Sequence, residues 1–136
     1  MKLIRILFIL AVLSIILSAC TSTKLADIYD ESVVTGRAKE VVEMINSQEF
    51  DRVNAEIRDD LQDQLTANQL RDALESKLVD AGAFVEYQSA TTFGQKSKTS
   101  GEDYATVVLV ANYEKNPLVF TISMDSNLDI VGLYVK

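Results

Sequence analysis

Histidine and tryptophan are absent from the 136 residues, cysteine and proline occur once each, and glycine only five times. Without histidine, and with a single thiol, the chain cannot build Ser-His-Asp or Cys-His nucleophile systems, imidazole or paired-thiolate zinc sites, or dithiol redox chemistry. Carboxylate, lysine, tyrosine and hydroxyl groups are what remains for chemistry. No intrachain disulfide can form, so the fold must stand on its apolar core. No catalytic residue, metal site or cofactor is expected from this inventory.

Basic residues are also in short supply, 13 against 20 acidic ones. Two of them, Lys2 and Arg5, lie in the first few residues; without them 11 basic residues face 20 acidic ones, a net charge of −9. Such a domain repels nucleic acid and anionic headgroups through its general field. Nucleic acid is therefore not an expected partner.

What is present begins with an address. Lys2 and Arg5 precede an apolar run from Ile6 to Leu17, and Leu17-Ser18-Ala19-Cys20 follows. A membrane-crossing helix needs about 20 apolar residues, and this run is shorter. A charged start, an apolar stretch and small residues before a cysteine form the layout of a secretory signal. The segment resembles the lipobox of bacterial lipoproteins, which implies cleavage before Cys20 and a diacylglyceryl group on its sulfur. The expected division is a lipoprotein signal peptide over 1–19, a lipidated Cys20 and tether over 20–30, and one folded domain over 31–136. The implied location is the extracytoplasmic face of the cell membrane, with the lipid on Cys20 as the membrane contact.

Beyond the tether, Val34, Ala38, Val41, Val42 and Ile45 recur at helical spacing, predicting a helix from Glu31 to Asn46. Phe50, Val53, Ile57 and Leu61 predict a second, shorter one that breaks near Asp59. Thr66 and Gln69 match a capping box opening a third, which Gly82 ends. After Gly82 the period becomes two. Strands are predicted over Ala83–Phe93, Tyr104–Glu114, Leu118–Met124 and Leu128–Val135, with a polar loop over Lys96–Asp103. Helices followed by a four-stranded meander read as an α+β domain, the helices packed on one face of a curved antiparallel sheet.

Alternation assigns Ala105, Val107, Leu109 and Ala111, with Leu118, Phe120, Ile122 and Met124, to the core face. The other face carries Thr106, Val108, Val110 and Thr121, a candidate face for homodimer formation.

The order of parts resembles a bacterial domain of unknown function, itself similar to the nuclear transport factor 2-like, or cystatin-like, superfamily. The resemblance is carried by Ala38-Lys39-Glu40-Val41-Val42-Glu43, Asn46-Ser47-Gln48-Glu49-Phe50-Asp51, Leu65-Thr66-Ala67-Asn68-Gln69-Leu70, Gly82-Ala83-Phe84, Phe120 to Asp125 and Ile130-Val131-Gly132-Leu133. It implies a cone of bent sheet around helices, often with a cavity at the open end and dimerisation through the sheet. No catalytic residue of that superfamily maps onto this chain.

Two acidic stretches are read as structural. Asp125 to Asp129 begins like a calcium loop, but Ile130 and Lys136 stand where an EF-hand needs glycine and glutamate, so the stretch reads as a hairpin turn. Asp59, Asp60 and Asp63 read as a solvated helix face. Tyr87, Tyr104, Tyr113 and Tyr134, from three strands, are candidate pocket residues because a tyrosine ring packs while its hydroxyl orients a ligand. The expected function is a membrane-anchored, non-enzymatic module binding a protein or small-molecule ligand. The alternatives are a carboxylate- or tyrosine-dependent enzyme using the cone's cavity, and a dimerising accessory domain of the cell envelope.

Overall fold

The computed structural model describes residues 23–136; the signal segment, Leu17, Ser18, Ala19 and Cys20 lie outside the described residues. Among the described residues, four helical segments precede four strands: α1 (Glu31–Asn46), α2 (Phe50–Glu56), a short 3₁₀ helix (Asp59–Gln64), α3 (Ala67–Ala81), β1 (Phe84–Lys96), β2 (Asp103–Tyr113), β3 (Leu118–Met124) and β4 (Ile130–Val135). The strands form one antiparallel sheet in the order β1-β2-β3-β4. This is the expected α+β architecture.

Local caps open α1 and α3 and end α3. The Asp30 carboxylate accepts the backbone N–H groups of Ser32 (2.9 Å) and Val33 (3.1 Å), satisfying two donors that the first turn of α1 leaves free. Thr66 and Gln69 form the reciprocal capping box at the start of α3. Gly82 ends α3 with φ 82° and ψ −159°, a region open only to glycine and distinct from the left-handed helical cap. The second helix stops earlier than expected, at Glu56. Ile57 is extended and bridges Ile130 in parallel, and the Arg58 N–H donates to the Ile130 carbonyl at 2.9 Å.

α1 lies across β1, β2 and β3. Its Val34, Ala38, Val41, Val42 and Ile45 are fully buried against Val107, Leu109, Phe120 and Ile122, with Phe50, Val53 and Leu70 completing the core. The predicted core faces of β2 and β3 therefore hold. β1 runs three residues beyond its expected end, and the β1–β2 loop shortens to match.

Residues 23–29 are not a free tether. Thr23 bridges Gly94 on β1, with the Gly94 N–H donating to the Thr23 carbonyl at 2.8 Å and the Thr23 hydroxyl donating to the Gly94 carbonyl. Leu25 and Tyr29 pack on the core, and the Tyr29 hydroxyl donates to the Asp103 carbonyl at 2.6 Å. A Cβ at Gly94 would stand 2.5 Å from the Lys24 carbonyl oxygen, so only glycine admits this strap. Polar sequence without periodicity read as a linker, because pairing with a distant strand leaves no local pattern.

Candidate functional site

β4 is an edge strand. Val119 and Lys136 exchange both backbone hydrogen bonds, at 2.9 and 3.0 Å. By the antiparallel alternation, Tyr134 and Gly132 turn their N–H and C=O groups toward β3, and Leu133 and Val135 turn theirs to the open side. Among the described residues, only the start of this edge is covered, by Ile57 and Arg58.

Beside the open edge the 3₁₀ helix and α3 stand off from the sheet. One recess of about 210 Å³ lies among Ile57, Leu61, Leu65, Val131 and Leu133. A second, of about 320 Å³, lies among Leu65, Leu70, Leu74, Leu133 and Val135, with Lys77 and the 64% exposed Tyr134 on it. They share Leu65 and Leu133, so the two recesses adjoin and together flank β4 from Ile130 to Val135, a groove with apolar side chains along it. Unpaired main-chain groups beside an apolar trench are the requirements for adding an extended segment as a further strand.

The four candidate tyrosines do not meet. Tyr87 and Tyr113 approach through Phe84, whose ring centroid is 4.9 Å from Tyr87 and 5.6 Å from Tyr113. The Tyr113 hydroxyl donates to Asn46 Oδ1 at 2.5 Å, and the Lys39 ammonium sits 5.0 Å over the Tyr87 ring. Burial pushes both phenols up to about 12. A recess of about 330 Å³ opens beside Tyr113, lined by Asn46, Gln48, Val79 and the 38% exposed Phe84.

Tyr104 belongs to the other end of the sheet, where its hydroxyl donates to Glu102 at 3.0 Å. Arg58 stands at the same end. Its guanidinium pairs with Asp60 at 2.7 Å and Glu102 at 3.4 Å and lies 3.7 Å from Asp125. Asp125, 3% exposed, accepts the N–H groups of Asn127 (2.9 Å) and Asp129 (3.0 Å), which identifies this stretch as a turn built on its own carboxylate.

Thr106 cannot serve a dimer face as expected. It is 1% exposed beneath Gln95 and Ser123, to whose side chains its hydroxyl is hydrogen-bonded at 3.2 and 2.8 Å. Alternation places a residue on a face but does not say that neighbouring side chains close over it. Val108, Val110 and Thr121 are half-buried on that face.

A cleft of about 570 Å³ between α1 and α2 carries Arg37, Arg52, Glu40, Glu43, Glu49 and Glu56. Arg37 pairs with Glu56 and with Glu40 (3.2 Å), and Arg52 with Glu49 (2.6 Å), so both guanidinium groups are internally matched. None of the helices among the described residues is long and apolar enough to cross a membrane.

Residues 38–133 match one family, described as protein of unknown function (DUF3887). The chain belongs to this family. The matched range takes in α1 from Ala38 onward and most of the core, while Val34, the end of β4 at Tyr134 and Val135, and the strap at Thr23 lie outside it. The fold is also similar to that of a protein from Ruminococcus gnavus ATCC 29149 solved by NMR. The two share 23% identity and a TM-score of 0.73, covering 83% of this chain and 96% of that one. That likeness carries the fold alone. No curated protein matches the chain.

The groove itself escaped the sequence reading. Its one signal was the nearly unbroken apolar run from Ile130 to Val135, which fits a buried strand as well as an open edge.

Proposed function

We propose that this DUF3887 protein is a lipid-anchored, extracytoplasmic binding module that takes an extended peptide segment of another protein along β4. The open edge beside an apolar groove is the observation that carries the reading. Leu133 and Val135 offer main-chain donors and acceptors two residues apart, and the groove accepts alternate apolar side chains of the added strand. The anchor is read from the lipobox at Leu17 to Cys20, and kinship with the nuclear transport factor 2-like superfamily from the helix-wrapped sheet.

The enzyme alternative calls for an acid held free in a recess. The one buried carboxylate among the described residues, Asp125, is committed to its turn and faces Arg58. A second binding reading, a small aromatic ligand beside Tyr113, is favoured by the exposed Phe84 ring on that recess.

A short peptide alternating leucine with threonine, titrated into the isotope-labelled chain, distinguishes them. Amide shifts at Val131, Leu133 and Val135 are expected. Shifts confined to Asn46, Gln48 and Phe84 transfer the function to the aromatic recess, and no shift at either place sinks the peptide reading.

A further inference from the structure

The strap changes what a lipid on Cys20 would do. A flexible tether through residue 30 would let the domain stand well clear of the bilayer. The chain is instead fixed to β1 at Thr23, by two hydrogen bonds to Gly94 and by the close passage of Lys24 over it. Cys20 and Thr23 are three residues apart, so their Cα atoms are separated by at most about 11 Å. The polar layer of one leaflet is about 5 to 8 Å thick, so a leash of that length rooted at its base leaves Thr23 no more than about 3 to 6 Å beyond the headgroups. Resting on the lipid-anchoring reading, we infer that the domain is seated directly on the phospholipid headgroups by the end of the sheet that holds the β1–β2 turn.

The side chains at that end fit a headgroup layer. Lys24 and Lys98 are exposed and make no ion pair among the described residues. Ile28, in the strap, is an aliphatic side chain 68% exposed. Of the acids near them, Asp103 lies 3.8 Å from Lys96 and Asp60 and Glu102 pair with Arg58, while Asp27 in the strap is exposed with no ion pair among the described residues. Lysines that can meet lipid phosphates, together with an exposed aliphatic residue in the strap, suit this layer. The net charge of the domain opposes general adhesion, so the short leash is what holds the contact, and the lysines select which side turns down. The β2–β3 turn at Asn116 is then at the far end, a β2 length of about 35 Å away.

The test uses the full lipidated chain in vesicles of mixed neutral and anionic phospholipid, some carrying a nitroxide on the headgroup. With the Cys20 sulfur occupied by lipid, a fluorophore is placed on Thr99→Cys in one sample and Asn116→Cys in another. Strong quenching at position 99 and little at 116 is expected. Inserting about ten Gly and Ser residues after Thr21 lengthens the leash and should erase most of that contrast. On the lengthened chain, Lys24→Gln and Lys98→Gln should each lower the ratio of seated to free domain roughly fivefold. Equal quenching at the two positions, or a contrast that the insertion leaves untouched, overturns the seating while leaving the anchor standing. Intact mass of the same samples separates the two failures, since a Cys20 without lipid takes down the anchor and the seating together.

Discussion

Two side chains in the aromatic layer, Tyr87 and Tyr113, are held where ionisation is disfavoured. Their phenols are raised from 10.0 to about 12, in both cases first by burial, with the Glu43 charge adding to Tyr87 and the Asn46 hydrogen bond opposing the rise at Tyr113. A folded-state value above the unfolded one means that the unfolded chain loses its proton first. The stabilisation is therefore complete below pH 10 and disappears as pH rises through about 12. Ultraviolet titration should show Tyr87 and Tyr113 ionising only as the pH approaches about 12, with Tyr29 also delayed by burial and by the Asp125 and Asp103 charges, and thermal unfolding should weaken over the same window. Five tyrosines titrating together near 10 would contradict the packing around Phe84. Asp125 is the other residue on which local structure hangs. Asp125→Ala removes the acceptor of two backbone N–H groups in a turn where Leu128 already has φ 65°. Loss of about 2 to 3 kcal/mol is expected from charged-acceptor hydrogen bonds of this kind. Chemical denaturation measures it directly, and a loss under half a kcal/mol would mean that water replaces the carboxylate.

Among the elements, the two edge strands are managed differently. Among the described residues, β1 is covered at Gly94 by the strap, whereas β4 is covered only at its first residue by Ile57 and Arg58. Gly94→Ala would drive a methyl group to 2.5 Å from the Lys24 carbonyl, a contact relieved only by moving the strap. Faster hydrogen exchange at the Gly94 amide is expected, with the core amides of Val107 and Leu109 unchanged. Slow exchange at position 94 in that variant would show that the strap accommodates the methyl group. At β4 the prediction concerns the peptide. N-methylation of its amides that face Leu133 and Val135 should abolish binding, and methylation of the alternate amides should leave it intact, because only one edge of an added strand is hydrogen-bonded. Equal tolerance of both sets would mean that the groove binds side chains without a strand being added.

For the whole molecule, stability rests on one core shared by α1, α2, α3 and the sheet. Phe120→Ala should cost about 3 to 5 kcal/mol and lower the single unfolding transition as a unit. A variant that melts in two steps would show the helices and sheet to be separable. The sequence alone determined much of this plan. Helical spacing from Val34 to Ile45, the Thr66–Gln69 cap and the strict alternation of β2 and β3 are local patterns, and periodicity in burial and capping at fixed offsets are read along the chain. The missing histidine and the single cysteine, equally, limited the chemistry without any structure. What the sequence left open was every feature that joins distant residues: the strap meeting Gly94, the closure of Gln95 and Ser123 over Thr106, the scattering of the four tyrosines, and the groove between β4 and the helices. Those depend on which strand ends at an edge and which segment lies over it, and such pairings are decided by the packing of the whole chain and leave no local pattern to read.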